Sequence, residues 1–253
     1  RESAMASSSS SNSSQQRGGN VQAALIGLLD SKPYCDRLIQ ACRAITGRSE
    51  QKLLHRESTY KLSQPPGSSQ KQLQYELRVR LGKTASSDSD KFVQPMSLIC
   101  YGDSLPVHPS TDKVFRPEDS KRRLPKPSLR RVVEVEVGHT CDEFLKLFGF
   151  EVDYIYIRSG QQFVCGTNDR CSIMISEIHQ LQSQQQTPKL ERDAAGKIVD
   201  HVYLVEVLAV SADETPASVE VAVRDVLALA DKLSPYVTLN CPDDRKIDGP
   251  KLQ

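Results

Sequence analysis

Two glutamates in one short segment are the first candidates for chemistry. Glu134 and Glu136 alternate with Val133, Val135 and Val137. This period of two predicts a β-strand that carries both carboxylates on one face. Inside a barrel such a pair can bind a divalent cation, which prefers oxygen ligands. The favoured interpretation is simpler: both side chains belong to the solvated face of a strand.

The pair resembles part of the Glu-x-Glu-x-Lys strand of the triphosphate tunnel hydrolases. Gly138 stands here where that family has its lysine, and the strand lies in the middle of the chain. Glu76 and Glu206 are the obvious further strand carboxylates. A metal-dependent phosphohydrolase that uses Glu134 and Glu136 is therefore the alternative hypothesis. Its tunnel should be lined with Arg, Lys and Glu, whereas mixed or apolar side chains would indicate a scaffold.

Other reactive side chains lack the spacing of known sites. The seven cysteines include no Cys-x-x-Cys pair, and the five histidines show no HxH or HExxH spacing. Free buried thiols in a reducing compartment are the favoured interpretation. No nucleophile elbow or phosphate-binding glycine loop occurs. We therefore expect no catalytic, metal-binding or cofactor-binding residue, and the sequence does not identify partner-binding residues.

A basic segment spans residues 113–131, with eight Lys or Arg against Glu118 and Asp119. A solvated loop is the favoured interpretation. A polyanion contact, or a localisation signal at residues 121–123, is the alternative. Phe115 is its only aromatic residue, so a base-stacking platform is not expected.

The overall charge gives no support for binding to nucleic acid or to an anionic membrane. Among 253 residues, 33 Lys and Arg balance 32 Asp and Glu, for a net charge of +1. A global field that attracts nucleic acid or anionic membrane is therefore not expected. No apolar run approaches the roughly 18–20 residues of a membrane helix, and no secretory signal is expected.

Periodicity and turn residues predict the secondary structure and one domain. A Ser-rich tail at 1–20 is expected to be disordered and 243–253 to be a tail, around a single domain at 21–242 with loops at 102–131 and 180–198. Helices are predicted at 34–45, 142–148 and 217–233, with Thr140 and Thr215 as N-caps. Strands are predicted at 52–62, 73–81, 92–101, 132–137, 150–158, 161–165, 171–178 and 199–211, with a turn at 64–69.

The order of these elements indicates the fold class. Strands and helices do not alternate regularly, which excludes a doubly wound parallel sheet. The pattern favours an α+β fold in which an antiparallel sheet or barrel carries a few packed helices. The helix at 217–233 has a one-sided apolar stripe and is predicted to dock on the barrel. A stripe that is instead exposed as a partner groove is the alternative.

Three blocks, in this order and spacing, resemble head-module subunit 18 of the Mediator coactivator. They are residues 28–30 with the helix at 36–43, residues 144–153 followed by Tyr156, Gly160 and Phe163, and residues 203–207 followed by the last helix and residues 233–239.

The resemblance implies a closed, mainly antiparallel β-barrel with flanking helices, including a C-terminal helix. It implies a non-enzymatic, nuclear subunit without a cofactor. Its expected partners are Mediator subunit 20, which has a related barrel, and a helix of Mediator subunit 8. The assembled complex would connect regulators to RNA polymerase II.

Overall fold

The computed structural model describes residues 20–63, 76–82, 96–105, 125–166, 169–180, 196–197 and 202–242. The predictions for the Ser-rich tail, the turn at 64–69, most of the basic segment, the loop at 180–198 and the C-terminal tail fall largely outside these residues.

Ten strands and three helices lie within the described residues. In chain order they are β1 (Asn20–Leu29), α1 (Lys32–Thr46), β2 (Gln51–Leu62), β3 (Glu76–Gly82), β4 (Met96–Ser104), β5 (Ser128–Val137), α2 (Cys141–Leu147), β6 (Phe150–Cys165), β7 (Cys171–Gln180), β8 (Gly196–Lys197), β9 (Tyr203–Val210), α3 (Pro216–Leu233) and β10 (Leu239–Asn240).

Eight of the strands form a closed antiparallel barrel, in the order β1-β5-β4-β3-β2-β6-β7-β9. Strand β9 pairs with both β7 and β1, which closes the sheet. The two-residue strands β8 and β10 add to β7 and β1. The predicted fold class is confirmed, including the C-terminal helix. Among the described residues, no helix is long and apolar enough to cross a membrane.

Strand β6 corrects the prediction of two strands around Ser159 and Gly160. It is continuous from Phe150 to Cys165, and Gly160 pairs with Ser176 in the middle of the ladder with β7. A Cβ at position 160 would lie 2.0 Å from the carbonyl oxygen of Ile175. The glycine therefore permits a close approach of two strands and does not mark a turn.

Strand ends extend into the predicted loop at 102–131. Strand β4 continues to Ser104, and β5 begins at Ser128. Ser128 and Leu129 are buried, because β5 pairs with β1 in the register Ala24↔Ser128. Strand β1 itself was not predicted as an element.

The helix boundaries follow their capping residues. Helix α1 has proline in its first turn and ends before Gly47, which has a φ of 63°. In α3 the Thr215 side chain accepts a hydrogen bond from the Ser218 amide, as predicted. Thr140 occupies the N-cap position of α2, but its side chain makes no capping hydrogen bond there.

The apolar core lies outside the barrel wall. The larger cluster packs the outward side chains of β1, β7 and β9 against α1 and α3, and Val226 and Leu227 of α3 are buried in it. This confirms that α3 docks on the barrel, and its stripe is not an exposed groove. A smaller cluster lies beneath α2 and includes Tyr60, Val79 and Leu145. The opposite face of these strands points into the lumen.

Candidate functional site

Charged side chains meet across the lumen of the barrel. Arg158 on β6 pairs with Glu206 on β9, although β7 lies between these strands. The Arg80 Nη1 atom on β3 lies 3.7 Å from the Glu134 Oε1 atom on β5, although β4 lies between them. Side chains two strands apart come together on the concave face of a curved sheet. These four residues therefore point into the barrel.

Glu57 lies at the centre of this network and is fully buried. Its Oε1 accepts a hydrogen bond from Arg80 Nε at 3.0 Å, and its Oε2 accepts one from the Tyr156 hydroxyl at 2.5 Å. The nearest guanidinium nitrogens of Arg78 and Arg158 lie 3.5 and 4.0 Å from the carboxylate. Three guanidinium groups thus surround one carboxylate.

The surrounding charges keep Glu57 ionised. Burial raises its pKa, but the charges of Arg80, Arg158 and Arg78, together with the hydrogen bond from Tyr156, outweigh burial and lower the pKa to about 2. Burial lowers the pKa of Arg158, but Glu206 and Glu57 raise it by more. A buried charge is tolerated when it is paired and hydrogen-bonded, and Glu57 meets that condition. Arg158 meets it in part, because its Nη2 atom donates to Ser176 and Glu206 while its buried Nε atom has no hydrogen-bond partner within the described residues.

Arg78 ties the network to the rest of the lumen. It pairs with Glu76 on its own strand, and its Nη1 donates to the Tyr156 hydroxyl oxygen at 2.9 Å. The guanidinium carbon lies 4.9 Å from the centroid of the Tyr101 ring, which is a cation–π distance. Arg78 therefore contacts charged and aromatic groups from three other strands as well as its own Glu76.

The charges of this lumen network nearly cancel. Among the described residues, the ion pairs centred on Glu57 join the cations Arg78, Arg80 and Arg158 to the anions Glu57, Glu76, Glu134 and Glu206. Glu57 is shared by all three arginines, and each arginine has one further carboxylate. These seven side chains therefore balance to within one charge.

His55 shares the lumen face of β2 with Glu57, two residues away. Burial lowers its pKa, and the charge of Arg80 lowers it further, to about 4. The imidazole is therefore neutral at physiological pH, and it adds no charge to the network.

The two glutamates of the sequence motif lie on the lumen face of β5, but they do not form a cation site with the other carboxylates. Glu134 is 48% exposed, as the solvated-face interpretation requires, and it also lies 3.7 Å from the Arg80 Nη1 atom. Glu136 is exposed and lies on the same face by alternation. Within the described part of the chain, no three His, Cys, Asp or Glu side chains converge in a group that could hold a metal ion.

The lumen lining is mixed, which is the type that was expected for a scaffold. Arg and Glu share it with buried apolar side chains such as Ile99, which pairs with Arg78 and Glu134, and Leu53, which lies on the same face of β2 as Glu57. The carboxylates of the network are engaged by guanidinium groups. Sequence reasoning did not identify Glu57, Arg78, Arg80 or Arg158 as site residues. The available signal was the arginine pair at positions 78 and 80, on one face of a strand whose other face is apolar.

All seven cysteines lie within the described residues and form no disulfide, and five of them are buried. Burial raises the pKa of Cys42 and of Cys171 to about 12 in each case, so these thiols stay protonated. Cys100 is half-buried, and Cys241 is exposed. The buried-thiol interpretation therefore holds for most of the set and fails for Cys241.

Comparison with protein-family models identifies one family. The family model described as Med18 protein matches residues 117–249. No curated protein matches the chain. A chain in the structure of the Schizosaccharomyces pombe Mediator head module is similar with a TM-score of 0.61 and 15% identity, over 87% of this chain and 98% of that one.

The structure of the PH1819 protein from Pyrococcus horikoshii OT3 is similar with a TM-score of 0.51 and 12% identity, over 89% of this chain and 97% of that one. At such identities these structures show a shared fold. The family model is more specific, since it matches more than half of the sequence. The chain therefore belongs to the Med18 protein family.

Proposed function

We propose that the protein is a non-enzymatic structural subunit of the head module of the Mediator transcription coactivator, and that it acts in the nucleus. The observation that carries this proposal is the family match over residues 117–249. The barrel shared with a chain of the S. pombe head module supports it at the level of the fold.

The lumen supports a structural role for the charged residues. Glu57 has no exposed surface, and Tyr156 and Arg80 occupy its two oxygens. A substrate that is to react in this space would first have to break buried ion pairs, which are costly to separate. We infer that the network links the five strands that contribute to it, β2, β3, β5, β6 and β9, across the lumen.

The proposed partners are Mediator subunit 20 and a helix of Mediator subunit 8, with RNA polymerase II reached through the assembled complex. Exposed apolar side chains outside the barrel support a role in protein contacts, and Leu147 is 86% exposed.

The test is purification of the tagged full-length protein from nuclei, followed by mass spectrometry. We expect Mediator subunits 8 and 20 in amounts comparable to the bait, and we expect the bait in the nuclear fraction. A folded bait that brings down no Mediator subunit would contradict the proposal.

The phosphohydrolase alternative retains one favourable observation, the Arg and Glu side chains within the mixed lining of the lumen. We expect no phosphate release from nucleoside triphosphates with Mg²⁺ or Mn²⁺. If the purified protein does turn over triphosphate, and Glu134→Gln abolishes that turnover, the non-enzymatic assignment is wrong.

A further inference from the structure

Helix α2 presents apolar side chains to solvent. Phe144 is 55% exposed, Leu147 86% and Phe148 62%. The two phenylalanine rings lie 4.6 Å apart between centroids, so they form one aromatic surface. On the other side of the same helix, Leu145 is buried. Contiguous exposed apolar groups of this kind mark interaction sites on soluble proteins.

The barrel wall extends this surface by one residue. Leu62 is 43% exposed at the end of β2, where it pairs with Phe150 of β6. The Ser63 amide donates to the Gly149 carbonyl at 2.9 Å, which fixes the end of β2 against the turn between α2 and β6. The side chains of Leu62, Phe144, Leu147 and Phe148 are called the α2 patch below.

The α2 patch is held in place from beneath. The Tyr60 hydroxyl donates to Asp142 Oδ1 at 2.6 Å, and Cys141 and Leu145 are buried in the small cluster under the helix. A surface that is already ordered loses little conformational entropy when a partner binds. Leu147 projects furthest into solvent, with 86% of its surface exposed, so a partner surface that encloses this side chain buries the most apolar area.

The rim of the patch is acidic. Asp142, Glu143, Glu151 and Asp153 are all exposed, against the two cations Lys61 and Lys146. Lys61 already pairs with Asp153 at 2.7 Å. Glu143 and Glu151 are therefore available to a basic partner, and charge complementarity across a rim favours association and specificity.

We propose that the α2 patch is a docking site for a partner subunit that presents an apolar cleft with a basic rim. The exposed apolar groups supply the contact, the projecting Leu147 side chain requires a cleft to enclose it, and the excess of carboxylates requires Lys or Arg around it. This inference rests on the proposed role as a Mediator subunit, because it locates one of the surfaces through which that role is carried out.

The experiment compares Leu147→Asp and Phe148→Asp with a matched control, Val221→Asp, in the full-length chain. Val221 is a 46% exposed apolar residue on another helix. Each variant is titrated with purified Mediator subunits 8 and 20, alone and together, and its melting temperature is measured. We expect both α2 variants to have the melting temperature of the wild type. We expect them to bind the titrated subunits at least about 10-fold more weakly than the wild type does, as for loss of a central apolar contact. The control should bind like the wild type.

A charge variant tests the basic rim separately. Glu143→Lys combined with Glu151→Lys should weaken binding and flatten its dependence on salt. An unchanged affinity and salt dependence would show that the partner is not basic.

The outcomes separate the two proposals. If the wild-type protein binds neither subunit, the proposed function fails. If the wild type binds and Leu147→Asp binds equally well, the docking site is wrong. Loss of self-association in Leu147→Asp, with partner binding retained, would assign the patch to a second copy of the chain. A fall of several degrees in its melting temperature would show that the chain itself covers the patch.

Discussion

The Glu57 carboxylate and the Arg80 guanidinium form a hydrogen-bonded ion pair, at 3.0 Å, inside the lumen of the barrel. The apolar core of the same strands lies on the outside, under α1, α2 and α3. Since the lumen excludes water from Glu57, the pair must be satisfied by protein groups. The stability and the pH response of the barrel should both depend on this pair.

Replacement of Glu57 by glutamine should destabilise the protein by about 3–5 kcal/mol, the range for breaking a buried ion pair on one side. The change removes the shared counter-ion of three guanidinium groups and keeps the shape of the side chain. Urea denaturation measures the free energy of unfolding. The control is Glu214→Gln, which removes a half-exposed pair with Arg131 and should cost at most about 1 kcal/mol. Equal losses of unfolding free energy in the two variants would show that the buried pair contributes no more stability than an exposed one.

Stability should fall in two acid ranges. His55 has its pKa lowered from 6.5 to about 4, so its neutral form contributes stability above pH 6.5 that is lost as the pH falls towards 4. Glu57 has its pKa lowered from 4.5 to about 2, so its ionised form contributes stability above pH 4.5 that is lost as the pH falls towards 2. Denaturation curves between pH 8 and pH 2 measure both. The His55→Gln variant should lose the upper range alone, and a flat wild-type profile from pH 7 to 4 would contradict the assignment.

Secondary structure was predictable wherever the signal is local. The proline and glycine around α1, and the Thr215 cap of α3, depend on neighbouring residues, and both helices appear where they were predicted. Gly160 was misread because its reason is not local. It allows β6 to approach the Ile175 carbonyl on β7, which no property of the surrounding sequence reveals.

The site was less predictable than the fold. Alternation showed that Arg78 and Arg80 share one face of β3, but it did not show whether that face meets water or a closed lumen. The answer depends on pairing between strands far apart in sequence, such as β1 with β9. The role of Glu57 also depends on distant strand pairing, because its partners come from β3 and β6. The sequence of β2 around Glu57 gives no indication of those partners.

Helix α3 should be indispensable for folding. Leu227 is 6% exposed in the main cluster, so Leu227→Asp would bury a carboxylate or force the helix off the barrel. The cost of several kcal/mol is comparable to the roughly 5–15 kcal/mol of a whole domain. We expect loss of soluble expression and of partner binding together. The control Arg224→Ala changes an exposed residue of the same helix and should do neither. A normal melting curve for Leu227→Asp would contradict the docking of α3.

The three arginines around Glu57 form an anion site that the protein fills with its own carboxylate, so its removal should create a site for an external anion. The Glu57→Ala variant leaves the guanidinium groups of Arg78, Arg80 and Arg158 without their shared partner. Guanidinium groups bind tetrahedral oxyanions by paired, charge-assisted hydrogen bonds. We therefore expect millimolar inorganic phosphate to raise the melting temperature of Glu57→Ala by several degrees more than that of the wild type, at constant ionic strength. The double variant Glu57→Ala with Arg80→Ala should lose this extra shift. If phosphate stabilises the wild type and Glu57→Ala equally, its effect is a general one on the protein surface, and Glu57 does not occupy an anion site.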